Sequence, residues 1–228
     1  MNSVHPLAPR AARQQKLREE TRRVILDAAL ELFVQQGYEF VSMRSIAAKV
    51  GYSPGAIYRY FPSKDEIFFA LAEEGLRRLN AGDPANTPSS DPLADIRATA
   101  QRLYDFSKEQ PQFFALIFLD RRVPRISVEY GRFQFMGPIW QEIQARVVRC
   151  IDAGFFPQTL EPFVALRLLC APIFGLAAHE LSGRLEADED VQALVSDTIE
   201  ITIAGLRAGA QKKATTPKSR TANTIRTA

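Results

Sequence analysis

Arg44–Phe61, RSIAAKVGYSPGAIYRYF, is the segment from which the fold is read. Ser42 stands where its hydroxyl can cap a helix over Met43–Val50 by accepting a first-turn amide. Gly51 stands where a left-handed residue ends that helix. Ser53 caps a second helix that opens on Pro54, whose missing N–H costs nothing at the first helical position. Ala47, Gly51 and Ile57 give a small residue, a turn glycine and a branched apolar residue, which lets two helices cross closely. That pattern predicts a helix-turn-helix, with the second helix addressed to a DNA major groove.

Upstream, Val24, Ile25, Ala28, Ala29, Leu32 and Phe33 recur at helical spacing from Thr21, and Gly37 can end their helix. This helix is expected to form a small core with Phe40, Val41, Ile46, Ala47, Val50, Ile57 and Tyr60. Residues 1–18 hold two prolines and no apolar period, and read as a disordered basic arm able to lie along phosphates or enter a minor groove. Downstream, Ser63 and Glu66 form a capping box opening a helix to about Gly82, the mechanical link between head and body.

The body reads as five or six more helices. Asp91 and Pro92 open one, Pro111 another, and a long stretch to Asp152 should be kinked or split at Pro138. Two more follow, about Leu160–Leu181 and Asp190–Leu206. Residues from Gly209 onward read as a disordered basic tail. No alternating strand pattern survives.

Charge sorts along the chain. Residues 10–64 carry 10 basic and 5 acidic side chains, net +5, whereas residues 65–206 carry 13 and 21, net −8. A basic head on an acidic body fits a protein whose N-terminal module alone meets a polyanion. Cys150 and Cys170 sit in apolar helical patterns and read as buried small hydrophobes. No apolar run reaches the roughly 18 residues of a membrane span, so a cytoplasmic, DNA-associated protein without membrane contact is expected.

Enzymatic readings fail on residue types. His5 and His179 are the only histidines, and His179–Glu180 lacks the second histidine of a zinc-protease helix. No cysteine pair has metal-ligand spacing and no glycine-rich phosphate loop occurs, so no catalytic residue, metal or cofactor is expected.

From Arg22 to Leu71 the chain resembles the DNA-binding domain of the tetracycline-repressor (TetR) family. The likeness rests on ILDAALELFVQQGYEFVSMRSIAAKVGYSPGAIYRYFPSKDEIFFAL, about 50 residues at fixed spacing. It implies an all-helical homodimer, usually a repressor, that leaves DNA when a small ligand binds the C-terminal domain. By position it implies phosphate contacts at Ser42 and Lys64, and a recognition helix with its edge at Ser53, Pro54, Gly55, Ala56, Tyr58, Arg59 and Tyr60.

The expected protein is all-α, an N-terminal three-helix helix-turn-helix domain followed by a helical-bundle ligand-binding and dimerisation domain. Its parts are an arm (1–18), a DNA-binding domain (19–64), a regulatory domain (65–207) and a tail (208–228). Arg59 is the chemical choice for a base reader, since a guanidinium addresses guanine O6 and N7 together. Ser42, Arg44 and Lys64 stand at helix starts suited to phosphate. Aromatics crowd the body, and Phe113, Phe114, Phe118, Phe133, Trp140 and Phe174, with Gln134, Gln141 and His179 as polar groups, are expected to line a pocket for an apolar or aromatic effector. Arg132 is the nearby cation that would reverse that preference. A palindromic duplex operator requires two heads, so dimerisation is assigned to Leu166, Leu169, Ile173, Ala177 and Leu181 with Val191, Leu194, Val195, Thr198 and Thr202. The function expected is a transcriptional regulator, most simply a ligand-released repressor. Its rivals are a ligand-independent dimeric regulator and a nonspecific architectural DNA binder.

Overall fold

A computed structural model describes residues 9–81, 88–126, 131–186 and 188–209, and every regular element among them is helical. The basic tail from residue 210 lies outside the described residues. Helix α1 (Pro9–Gln36) leads through a 3₁₀ turn (Tyr38–Phe40) to α2 (Met43–Val50) and α3 (Pro54–Tyr58). Together with the start of α4 (Lys64–Ala81) these make the head. Ile25, Ala29 and Phe33 of α1 bury against Ile46, Ala47, Ile57 and Phe61, with Ile67, Phe68 and Leu71 of α4 closing the far side.

Three details of the head differ from expectation. Helix α1 begins at Pro9, not near Thr21. Its first dozen residues are mostly strong helix formers, and the packed half of α1 removes the cost of nucleating them. Val24 lies one position off the inward stripe and is 50% exposed. Phe40 is 68% exposed because Val41 takes the inward place, and the Arg122 guanidinium covers its ring at 5.4 Å.

The body holds α5 (Pro92–Glu109), α6 (Pro111–Phe114) running on as a π turn (Ala115–Leu119), α7 (Met136–Asp152), α8 (Pro162–Leu181) and α9 (Val191–Ala208). Asp91 caps α5 through the Leu93 amide at 2.9 Å, and Pro92 opens it. Pro138 does not divide α7: it lies in the first turn, where backbone amides have no helical partner to lose. The chain instead breaks earlier, at a 3₁₀ turn over Gly131–Phe133. The interior proline is Pro172 of α8, on that helix's exposed side.

Helices α5, α7 and α8 pack around Leu103, Phe106, Val147, Leu169 and Ile173, while α9 lays Val195, Ile199 and Ile203 on α8 and α5. Each fully buried leucine, isoleucine or phenylalanine contributes roughly 1.5–3 kcal/mol. Buried Asp95 accepts from the Ser89 amide at 3.2 Å and pairs with Arg149, tying the start of α5 to α7. Burial alone would raise the pKa of this carboxyl, but Ser89 and Arg149 outweigh it and hold the group below its ordinary value. Helix α8 meets the length and hydropathy of a membrane span, contrary to expectation, yet it packs on α5, α7 and α9 through Ala165, Leu166, Leu169, Ile173 and Ala177.

Candidate nucleic-acid interface and body cavity

The α2–α3 unit has the geometry its residues predict. Ser42 accepts the Ser45 amide at 3.1 Å, and the Ser45 hydroxyl accepts the Ser42 amide at 2.9 Å, a reciprocal capping box. Gly51 ends α2 at φ 72, left-handed, and the Tyr52 amide reaches back to the Ala47 carbonyl at 3.0 Å. This is the paired hydrogen-bond pattern that stops a helix on glycine. Ser53 caps α3 by accepting the Ala56 amide at 3.3 Å. Beyond Tyr58 the backbone tightens, with Tyr60 N–H on Ile57 O at 2.9 Å, and the Phe61 ring enters the core.

These constraints leave one face of α3 outward. Ser53, Pro54, Gly55, Tyr58 and Arg59 are exposed, Ala56 and Tyr60 half-buried, and Tyr60 rests on the head core. Tyr58 is 53% exposed. A Cβ added at Gly55 would meet no atom within 4 Å, so folding does not require glycine there. Ser42 and Arg44 are exposed at the start of α2, and neither Arg44 nor Arg59 pairs with a carboxylate among the described residues. Arginines of the body do the opposite, Arg97 pairing with Glu200 at 2.5 Å and Arg132 with Glu66 at 2.8 Å.

Lys64 is placed differently from the other phosphate candidates. Its Nζ donates to the Tyr38 carbonyl at 2.8 Å and lies 4.2 Å from the Tyr38 ring centre, pinning the 3₁₀ turn to α4. Ser63 accepts the Glu66 amide at 3.2 Å as expected, but the Glu66 carboxylate turns to Arg132 rather than back to the cap.

Around this turn head and body are locked together. Asp120, just past the π turn, accepts the Tyr38 amide at 3.2 Å, and Arg122 pairs with Glu39 at 3.1 Å. The Tyr38 hydroxyl donates to Asp65; burial and that carboxylate raise the pKa of the phenol. Further along α4, Gly75 lets α6 approach so closely that a Cβ would stand 2.5 Å from Ile117 Cδ1 and 2.8 Å from Phe113 Cδ1.

The body has a cavity of about 110 Å³ between the C-terminal half of α4 and α5, the π turn, α7 and α8. Of the residues expected to line it, Phe118, Trp140 and Phe174 do. Phe113, Phe114 and Phe133 do not: they are buried in the packed core, where Phe113 meets α4 at Gly75, Phe114 packs behind the cavity rings Phe118 and Phe174 at 5.2 and 5.9 Å, and Phe133 meets Phe69. Gln134, Gln141 and His179 are exposed, and Arg132 is held at the head–body seam by Glu66 and Glu73. Tyr130, another ring of the body sequence, lies outside the described residues.

Sequence reading missed Leu76 and Leu79 on α4, Leu103 on α5, Met136, Ile139 and Ile143 on α7, and Cys170 on α8, all in the lining. A signal existed for the first two, since α4 stays apolar well past the last turn the small head can cover. The polar groups at the wall are already engaged. Arg102 bonds the Leu79 carbonyl at 3.2 Å and Glu109 at 2.8 Å, and Thr99 accepts from Arg146 at 2.6 Å. Burial pushes the Cys170 thiol up to about 11, which keeps it protonated and a poor nucleophile at neutral pH.

The expected dimer residues divide. Leu166, Leu169, Ile173, Ala177 and Val195 are buried in the monomer's own core, and Leu166 also lines the cavity. They form the regular inward stripes; α8 is apolar all round, so the sequence does not mark which side faces out. Val191, Thr198 and Thr202 are half-buried, while Leu181 and Leu194 are exposed. The outward sides carry Leu168, Ala171, Pro172 and Gly175 on α8 and Leu194, Ile201 and Gly205 on α9, with Ile201 72% exposed. Among the described residues no group of three potential metal ligands comes together.

The sequence profile described as "Bacterial regulatory proteins, tetR family" matches residues 25–71. The chain is 30% identical over 196 residues to the HTH-type transcriptional regulator TcmR of Streptomyces glaucescens, which covers 80% of each protein. Over 102 residues it is 33% identical to the HTH-type transcriptional activator FasR of Mycolicibacterium smegmatis, covering 44% of this chain and 47%, about half, of that one. The structure of the transcriptional regulator FadR from Bacillus subtilis in complex with stearoyl-CoA superposes with a TM-score of 0.63 at 16% identity, over 80% of this chain and 98% of the other.

Proposed function

The chain belongs to the tetR family of bacterial regulatory proteins and is a DNA-binding transcriptional regulator, not an enzyme; from that premise we propose that it is a dimeric cytoplasmic repressor of a palindromic operator, released by a small apolar ligand. The observation that carries the DNA half is the outward face of α3. Tyr58, Arg59 and the open space over Gly55 have no role in the fold, and each suits a base edge or a phosphate. Ser42 and Arg44 add phosphate contacts at the start of α2. One head has few such groups, so two are set on half-sites about 34–36 Å apart.

The pairing surface we assign is the outward side of α8 and α9. Leu168, Leu194 and Ile201 are large exposed apolar residues there, and Ala171, Gly175 and Gly205 are small enough to let helices approach. The ligand half rests on the cavity walls. Apolar side chains dominate them, and Arg102 and Thr99 already have protein partners, so an uncharged guest is favoured. An apolar cavity of ~150 Å³ takes benzene. About 110 Å³ is smaller than that, so a guest of single-ring size or larger must open the body.

The switch follows from which elements share these walls. Leu76 and Leu79 belong to the helix that carries the head, and Phe118 is two residues from the Asp120 carboxylate that holds Tyr38. A guest that moves either alters the head angle, and a dimer spanning two grooves loses contacts at both.

Selection of bound sites from random duplexes tests the DNA half: an inverted repeat is expected, and a degenerate pool would instead favour an architectural binder. A compound screen by thermal shift, followed by operator titration, tests the ligand half. A compound that raises the melting temperature should weaken operator binding, and one that binds the cavity without changing operator affinity would leave a ligand-independent regulator. A promoter fusion reads the sign, with transcription expected to rise when the chain is deleted.

A further inference from the structure

We infer that the exposed N-terminal part of α1, residues 11–20, is a second DNA grip, a helical rod whose Arg13, Lys16 and Arg18 lie on phosphates flanking each half-site. The inference rests on the DNA-binding reading above and extends it to a part of the chain outside the helix-turn-helix.

Every side chain from 11 to 20 is exposed, so burial gives this part of α1 no reason to exist. It is nonetheless helical, about 15 Å of rod at 1.5 Å per residue. Its base sits close to the segment that follows the recognition helix. Arg22, at its base, stacks over the Phe61 ring at 4.6 Å, and Phe61 is three residues past the end of α3. Arg23, the next residue, pairs with Glu74 of α4 at 2.5 Å, so the rod leaves from the corner where α1 meets both α4 and the segment that follows the recognition helix.

Its charges are arranged for an anion. Arg13 and Arg18 pair with no described carboxylate. The two acidic residues are drawn along the rod itself, Glu19 to Gln15 at 3.0 Å and Glu20 to Lys16 at 4.0 Å. Meanwhile residues 65–206 are net negative and would repel DNA, so the rod is one of few places where a phosphate gains from contact. A stiff helix holds its cations at fixed spacing, so less freedom is lost on binding than for a flexible arm.

The test replaces three cations in the full chain, Arg13→Gln, Lys16→Gln and Arg18→Gln together. Glutamine keeps helix propensity, and circular dichroism with a melting curve checks that the fold is intact. Operator affinity is then measured against salt on a selected palindrome with long flanks. Each lost phosphate contact should flatten the slope of log K against log salt by roughly 0.9, up to about 2.7 per protomer. Base preference within the half-site should not change, and hydroxyl-radical protection should shrink at its outer edges. An unchanged slope and footprint would overturn the inference. So would an unchanged operator slope combined with loss of binding to phosphatidylserine vesicles, which would assign the rod to a membrane surface. If the unmodified chain selected no palindrome at all, the DNA-binding reading itself would fail, a result distinct from either.

Discussion

Head and body use similar residue types to opposite ends. In the head, Tyr58 and Arg59 stand outward beyond any packing need, and Gly55 leaves open space that no described residue fills. In the body, Phe113, Phe114 and Phe133 are absorbed by the core, and Arg102, Arg132 and Arg149 are matched by carboxylates. A residue type therefore signals function only when folding has not already used it. The head advertises its partner, whereas the body hides its cavity behind ordinary packing.

The contrast is broken or sharpened most strongly by paired substitutions. Tyr58→Ala with Arg59→Ala should leave the melting temperature nearly unchanged, since exposed changes are usually worth within about 0.5 kcal/mol. Operator affinity should fall by two orders of magnitude or more, because each base contact is worth about 1–3 kcal/mol and each is made twice. Phe114→Ala in the body should show the reverse pattern, costing about 3–5 kcal/mol of stability. Equal loss of stability from both would erase the distinction.

A next step down is Gly75→Ala. The added methyl meets Ile117 and Phe113, so the α4–α6 contact must spread at a cost of about 1–3 kcal/mol. Because α4 carries the head, operator affinity should drop further than in a body variant of equal stability; equal drops would mean that α4 is only a spacer. Gly55→Ala is the milder counterpart in the head. It should stabilise the fold by up to about 1 kcal/mol through helix propensity and still weaken DNA binding, and unchanged binding would show that the helix backbone does not approach the bases.

Sequence pattern placed α2 and α3 of the head correctly because these elements are short and punctuated. Ser42, Gly51, Ser53 and Pro54 each mark a boundary by a mechanism local to a few residues, and each mark recurs in the structure. Local rules also explain the errors. Helix α1 reaches back to Pro9 because a packed helix propagates into good helix formers, an effect invisible to a search for apolar period. In the body, uniform hydrophobicity along α8 conceals which side faces solvent, so the regular stripe of Leu166, Leu169, Ile173 and Ala177 suggested an interface and proved to be core. Ring count suggested an aromatic-lined pocket. Tertiary packing left Phe118, Trp140 and Phe174 at the cavity, took Phe113, Phe114 and Phe133 into the core, and filled the rest of the wall mainly with aliphatic residues from α4, α5 and α7.

The smallest expected effect concerns Cys170, whose thiol lines the cavity with its pKa pushed up to about 11. Labelling by a neutral thiol reagent should be slow at pH 8, accelerate toward pH 11 as the thiolate forms, and slow again when a guest occupies the cavity. Fast labelling at pH 8 would place this thiol in an open, polar site.

The proposed function requires two copies of one exposed helix face to read DNA together, joined through the outward side of α8 and α9. Sedimentation of the protein on a selected duplex, with Ile201→Glu as comparison, tests that claim most directly. Two protomers per inverted repeat are expected for the unmodified chain, with the charged variant monomeric, folded and no longer bound at the same concentration. A single protomer holding the repeat at full affinity, or an Ile201→Glu variant that still binds as a pair, would contradict it.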